Sequence, residues 1–148
     1  MDIRAAVRER RSIRKFKPDR IPERLLREIL EDARWSPSWG NTQPWEFYVL
    51  AGEALERFKK ANCAQLDAGV PPAPDIPMPD QWTEPLKKRY GAIGRSVLEA
   101  LGIAREDAEG RTEQTRAMFR VFDAPCLIVP CVDRRSSSLE YALLDVGL

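Results

Sequence analysis

The chain has 148 residues, a near balance of 24 Lys/Arg against 23 Asp/Glu, a formal net charge of +1, and no histidine at all. The missing histidine excludes a Ser-His-Asp triad, a Cys-His pair and a histidine-ligated metal in this chain, and the balanced charge argues against a general polyanion binder. Three scattered cysteines, Cys63, Cys126 and Cys131, lack CxxC spacing, which argues against structural zinc and fits a reducing, cytoplasmic setting.

The length suits one domain, residues 1–148, with a modest core. The opening MDIRAAVRERR has no apolar run behind its basic residues, so it does not read as a secretory signal. No stretch approaches the roughly 20 apolar residues that span a bilayer. Residues 2–9 read as a short helix with Ile3 and Val7 at i,i+4 spacing. A basic cluster follows, Arg10, Arg11, Arg14, Lys15 and Lys17, and the first 20 residues hold eight Lys/Arg against three Asp/Glu.

Ile21-Pro22-Glu23 predicts a helix start with proline at the first helical position. Leu25, Leu26, Ile29, Leu30 and Ala33 then fall on one apolar face, and Pro37 ends the helix. Residues 35–44 are turn and loop chemistry around Trp35 and Trp39. Residues 45–50, WEFYVL, predict a strand with Trp45, Phe47 and Val49 on one face. After an Ala51-Gly52 turn, Glu53 to about Cys63 predicts a helix burying Leu55 and Phe58.

Residues 67–80 contain five prolines, which forbid a helix and disfavour a central strand. An extended excursion over the surface or a site and an unordered linker both remain open there. Helices are expected at 85–101, ending near Gly102, and from Glu106 to Val121, carrying Met118, Phe119 and Phe122 toward its end. Pro125 to Val132, PCLIVPCV, predicts a strand buried on both faces, with Pro130 placing it near an edge or bulge. Ser137 with Glu140 reads as a capping box for a last helix bearing Leu139, Leu143, Leu144 and Val146. That apolar face has just opened at Leu148, so the expectation is a longer protein or a partner that covers it.

Two segments carry candidate chemistry. Arg10, Ser12 and Arg14 alternate, so an extended segment would put them on one face as a phosphate clamp, with Arg11 beside them. A solvated basic turn is the plainer reading, and contact with a nucleic-acid backbone would need basic charge to recur along the chain, which it does not. The second segment is Ser36 to Gln43, where Ser38, Asn41, Thr42 and Gln43 lie among Trp35, Trp39 and Trp45. A flat ligand with polar edges suits it, as does a core-capping helix-to-strand loop. Together the segments suit a planar phosphorylated cofactor. Neither GxGxxG nor a Walker A sequence is present, so a Rossmann site is excluded.

RRSIR, from Arg10 to Arg14, and SPSWGNTQPW, from Ser36 to Trp45, resemble the FMN-dependent nitroreductase family. Phe122-Asp123-Ala124-Pro125 and Leu144-Asp145-Val146-Gly147 add weaker matches in the same order. The resemblance covers the whole chain but about the first two thirds of a typical member. It implies an α+β fold, a mixed, mostly antiparallel sheet flanked by helices, in a domain-swapped homodimer with FMN at the interface. It implies that Arg10, Arg11, Ser12 and Arg14 bind the FMN phosphate and ribityl chain. Pro37, Ser38 and Trp39 would lie against the isoalloxazine, reaching it from the other subunit, with Asn41 and Gln43 near the cofactor. No side chain is implied as catalytic and no metal as a ligand.

The implied activity is a ping-pong cycle in which NADH or NADPH gives a hydride to the flavin, which then reduces a nitroaromatic, quinone or similar acceptor. The implied partners are a second copy and a small acceptor, with no nucleic acid and no membrane. The proline-rich stretch, residues 67–84 with Trp82, falls in the family's variable insertion. Reductive dehalogenation and flavin fragmentation on the same fold stand as alternatives, as does a truncated, non-catalytic flavin- or phosphate-binding module.

Overall fold

The computed structural model describes residues 2–135 and 138–148. The first helix, α1 (Ile3–Glu9), is capped by Asp2, whose carboxylate accepts the Arg4 N–H at 3.2 Å. Residues 10–22 then run without regular structure. Helix α2 (Glu23–Ala33) starts one residue later than its sequence suggests, with Pro22 as the N-cap. Of its apolar face, Leu26, Leu30 and Ala33 are half-buried while Leu25 and Ile29 stay exposed.

Strand β1 (Trp45–Ala51) and strand β2 (Cys126–Val132) form a two-stranded antiparallel sheet. The register sets Trp45 opposite Val132, Phe47 opposite Pro130 and Ala51 opposite Cys126. On β1 the alternation holds at Trp45 and Phe47 and fails at Val49, which is exposed while Leu50 is half-buried. Continuous apolarity in β2 predicts burial on both faces, yet no residue of the strand is fully buried and Pro130 is exposed. One ladder neighbour cannot cover both faces and both edges, and proline is tolerated where a ladder hydrogen bond can be spared.

Helix α3 (Gly52–Asp67) opens at Gly52, φ 54°, and runs four residues beyond the sequence expectation. Nothing before Gly69 breaks it; there a φ of 66° and the Val70 N–H to Gln65 O bond close the end. Leu55 is buried as expected, whereas Phe58 is exposed and Lys59 takes the i+4 position in its place. Residues 68–83 hold no helix or strand, as the prolines require. Helix α4 (Glu84–Ala100) follows and closes at Gly102, φ 69°. Helix α5 (Ala108–Phe119) begins later than expected because the Asp107 carboxylate caps it, accepting the Gly110 N–H at 2.8 Å. It also ends earlier, before a left-handed turn at Val121–Asp123.

Helix α6 (Leu139–Gly147) is N-capped by Ser138 without a side-chain bond, and the expected capping residue Ser137 lies outside the described residues. Its buried positions are Ala142 and Asp145, not the leucines, since Leu143 and Leu144 face solvent. The chain divides into two compact units, Met1–Phe58 with Asp123–Leu148, and Lys59–Phe122. In the first, Leu55, Ala124 and Ala142 form the buried apolar centre, and α6 lies against β2 and the loop before β1. In the second, the Arg116 guanidinium grips both oxygens of Asp67, at 2.7 and 3.1 Å, and the Asn62 amide donates to the Phe119 carbonyl at 2.7 Å. Among the described residues no helix is long and apolar enough to cross a membrane.

Candidate functional site

The loop between α2 and β1 is built by its backbone. Trp39–Asn41 makes one turn of 3₁₀ helix, and Gly40, Asn41 and Gln43 all take left-handed φ values of 58°, 54° and 45°. Asn tolerates that region because its short polar side chain finds local partners, while a left-handed Gln is less common and marks strain. The bends are held by three local bonds. Ser38 Oγ accepts the Gln43 N–H at 3.0 Å, Thr42 Oγ1 donates to the Trp39 carbonyl at 3.0 Å, and the Asn41 N–H donates to the Ser38 carbonyl at 3.0 Å.

Those bonds use main-chain groups and the two hydroxyls. The side-chain amides of Asn41 and Gln43 make no hydrogen bond among the described residues, and both residues are exposed. Trp39 presents an exposed indole, 61% accessible, and Pro37 sits at the loop's entry. Five of the nine residues expected at the site, Pro37, Ser38, Trp39, Asn41 and Gln43, therefore share one ordered loop. The other four, Arg10, Arg11, Ser12 and Arg14, share the irregular segment after α1, where every one is exposed. Neither the Arg10 nor the Arg11 guanidinium has a carboxylate or other polar partner among the described residues. Guanidiniums in that condition can receive an anion without first breaking an ion pair.

Two residues at this loop carry roles that the sequence reading left unassigned. Asp145 of α6, 7% accessible, places both carboxylate oxygens 3.1 Å from the Trp39 N–H. Tyr141, one turn earlier, stacks on Trp39 with ring centroids 5.6 Å apart and planes 26° from parallel. The signal available in the sequence was one acid inside the apolar run Tyr141 to Leu148. Two cavities flank this contact. One of about 200 Å³ lies between Trp39, Pro44, Tyr141 and Asp145, and one of about 320 Å³ between Ile29, Phe47, Pro130 and Asp145. Elsewhere in the same unit, the Tyr48 hydroxyl donates to Glu46, which raises the phenol above its ordinary range. Arg135 holds the Asp133 carboxyl below its own ordinary range. No group of three or more potential metal ligands occurs among the described residues.

The chain and its fold have counterparts among known proteins. The chain is similar to a nitrobenzene nitroreductase of Ectopseudomonas oleovorans, 37% identical over 140 residues, covering 92% of this chain and 60% of that protein. The fold is similar to an FMN and NADPH-dependent nitroreductase NfnB from sphigopyxis sp. strain HMH, with a TM-score of 0.90 and 32% identity over 99% of this chain and 66% of that one. It is also similar to the FMN-dependent nitroreductase NfnB from Mycobacterium smegmatis in complex with NADPH, with a TM-score of 0.88 and 27% identity over 98% and 64% of the two chains. The chain thus spans about 60% of the length of the curated relatives it matches. A family model described as Nitroreductase family matches residues 7–148, taking in the basic segment, the Trp39 loop and α6, and on that match the chain belongs to the nitroreductase family.

Proposed function

We propose that the protein is an NAD(P)H-dependent FMN oxidoreductase of nitroreductase type, reducing nitroaromatic, quinone or similar acceptors. The observation that carries this reading is the Trp39 loop: its local turn bonds employ backbone groups and hydroxyls, and its Asn41 and Gln43 amides remain available to a ligand. Amides set beside an indole fit a flat ring with polar edges, and Arg10, Arg11, Ser12 and Arg14 fit a phosphate. FMN has both parts. When bound it would supply the redox chemistry, accepting a hydride and passing electrons onward.

The protein's own work is then binding and orientation. Arg10, Arg11 and Arg14 neutralise the phosphate, and Ser12 adds a hydroxyl donor. Pro37, Ser38 and Trp39 wall the ring, while Asn41 and Gln43 meet its polar edge. No side chain needs to act as nucleophile or proton donor, which accords with a chain lacking histidine. We read residues 1–148 as the portion of a nitroreductase-like FMN-binding domain that matches about 60% of its relatives' length, with residues 67–84 as a variable insertion. The partner is a second copy in a domain-swapped homodimer. Supporting it are Ile3, Val7 and Leu144, each more than two thirds accessible on this chain alone. The three free cysteines support a reducing, cytoplasmic location.

The test is reconstitution followed by reduction. The chain should take up FMN from solution, and anaerobic NADH or NADPH should bleach the bound flavin's visible absorption. Adding nitrobenzene should restore the absorption. Uptake without bleaching would point to a passive flavin-binding module, and failure of uptake would remove the reading.

A further inference from the structure

The 3₁₀ turn at Trp39–Asn41 lacks the usual local cap. A helix start leaves N–H groups without intrahelical acceptors, and the residue before it commonly supplies a side-chain oxygen. Ser38 stands at that position, but its hydroxyl makes no cap bond, being bonded to the Gln43 N–H. The Trp39 N–H is taken instead by Asp145, 106 positions away, with both oxygens at 3.1 Å. We propose that Asp145 is the positioning residue of the Trp39 loop, capping it in trans from α6 and so setting the orientation in which Trp39, Asn41 and Gln43 meet the cofactor. Its cofactor half rests on the FMN reading above.

Four observations support the assignment. A carboxylate 7% accessible is costly to bury unless its charge is met by donors, so the contact is selective for this loop conformation. The bond is charge-assisted and shared by two oxygens, which restricts the N–H direction more than one neutral acceptor would. Tyr141 lies at i−4 on the same helix face and stacks on the Trp39 ring, so α6 holds both the backbone and the side chain of one residue. The loop also needs holding, because Asn41 and Gln43 sit at left-handed φ values that the free chain would seldom visit. Asp145 acts through Trp39 and is not assigned a contact with the cofactor itself.

The experiment compares the wild-type chain with Asp145→Asn and Asp145→Ala. Asn keeps the volume and one acceptor, so it serves if the Ala variant does not fold. The first readout is hydrogen exchange at the Trp39 amide without FMN, followed in a two-dimensional N–H spectrum. The second is the FMN dissociation constant, with the visible circular dichroism of bound flavin. Loss of a charge-assisted bond should speed Trp39 exchange roughly 10- to 100-fold in Asp145→Ala and less in Asp145→Asn. FMN binding should weaken in the same order, about tenfold for Ala, with a changed flavin dichroism. A merely structural carboxylate would lower thermal stability yet leave Trp39 exchange, FMN affinity and dichroism unchanged in the folded variants, and that result overturns the proposal. The exchange readout needs no flavin. If the wild-type chain takes up no FMN, the cofactor half is overturned along with the FMN reading, and the exchange result alone decides whether Asp145 anchors the loop.

Discussion

Gly40 occupies a φ of 58°, and a Cβ added there would meet only the Thr42 methyl at 3.8 Å, an ordinary contact. The cost of Gly40→Ala is therefore conformational and not steric, about 1 kcal/mol. Urea denaturation should show an unfolding free energy lowered by about that amount, seen as a lower midpoint, with Gly40→Asn closer to wild type because Asn tolerates the left-handed region. An unchanged Ala midpoint would mean that the loop relaxes to another turn. At this scale part of the site is legible in the sequence. Gly, Asn and Thr between two tryptophans signal a polar turn, and the structure forms one at Trp39–Asn41, exposed and not covered by the indoles. Asp145 is not legible in the same way, because no local pattern reports a bond to a residue 106 positions earlier. It stands out only as an acid among Ala142, Leu143, Leu144 and Val146.

Among the elements, hydrophobic period predicted existence better than burial. Among the described residues, the six α-helices and two strands fall where pattern and punctuation place them, and the differences in their ends have local causes. Helix α3 continues to Asp67 because its first stop signal is Gly69, and α5 starts late because Asp107 caps it. Burial depends on what packs against each face, which periodicity does not contain. On α3, Leu55 and Phe58 look equivalent in sequence, yet Leu55 is 1% accessible and Phe58 is 39% accessible. On α6 the small Ala142 is covered while Leu144 is not. Leu55→Ala should consequently lose about 2–5 kcal/mol of stability, the range for emptying a buried leucine site. Phe58→Ala should cost less than half as much. Equal losses in urea titrations would contradict the burial pattern on this helix.

The whole molecule combines an α+β fold of nitroreductase type with exposed apolar surface. Ile3 and Val7 are 77% and 72% accessible, and Trp35 is 83% accessible. The balanced charge of the whole chain hides a basic first segment, with eight Lys/Arg against three Asp/Glu in the first 20 residues. The central claim is that this segment and the Trp39 loop bind the two parts of one cofactor. A fluorescence titration of the full chain with FMN tests it directly, comparing wild type with Arg14→Ala, Arg10→Ala and the neighbouring control Lys17→Ala. Each arginine variant should bind FMN about 10- to 100-fold more weakly, the value of a charge-assisted bond to phosphate, while riboflavin, which lacks the phosphate, should bind all four proteins alike. FMN affinity unchanged in both arginine variants, or riboflavin binding to wild type as tightly as FMN, would contradict the account.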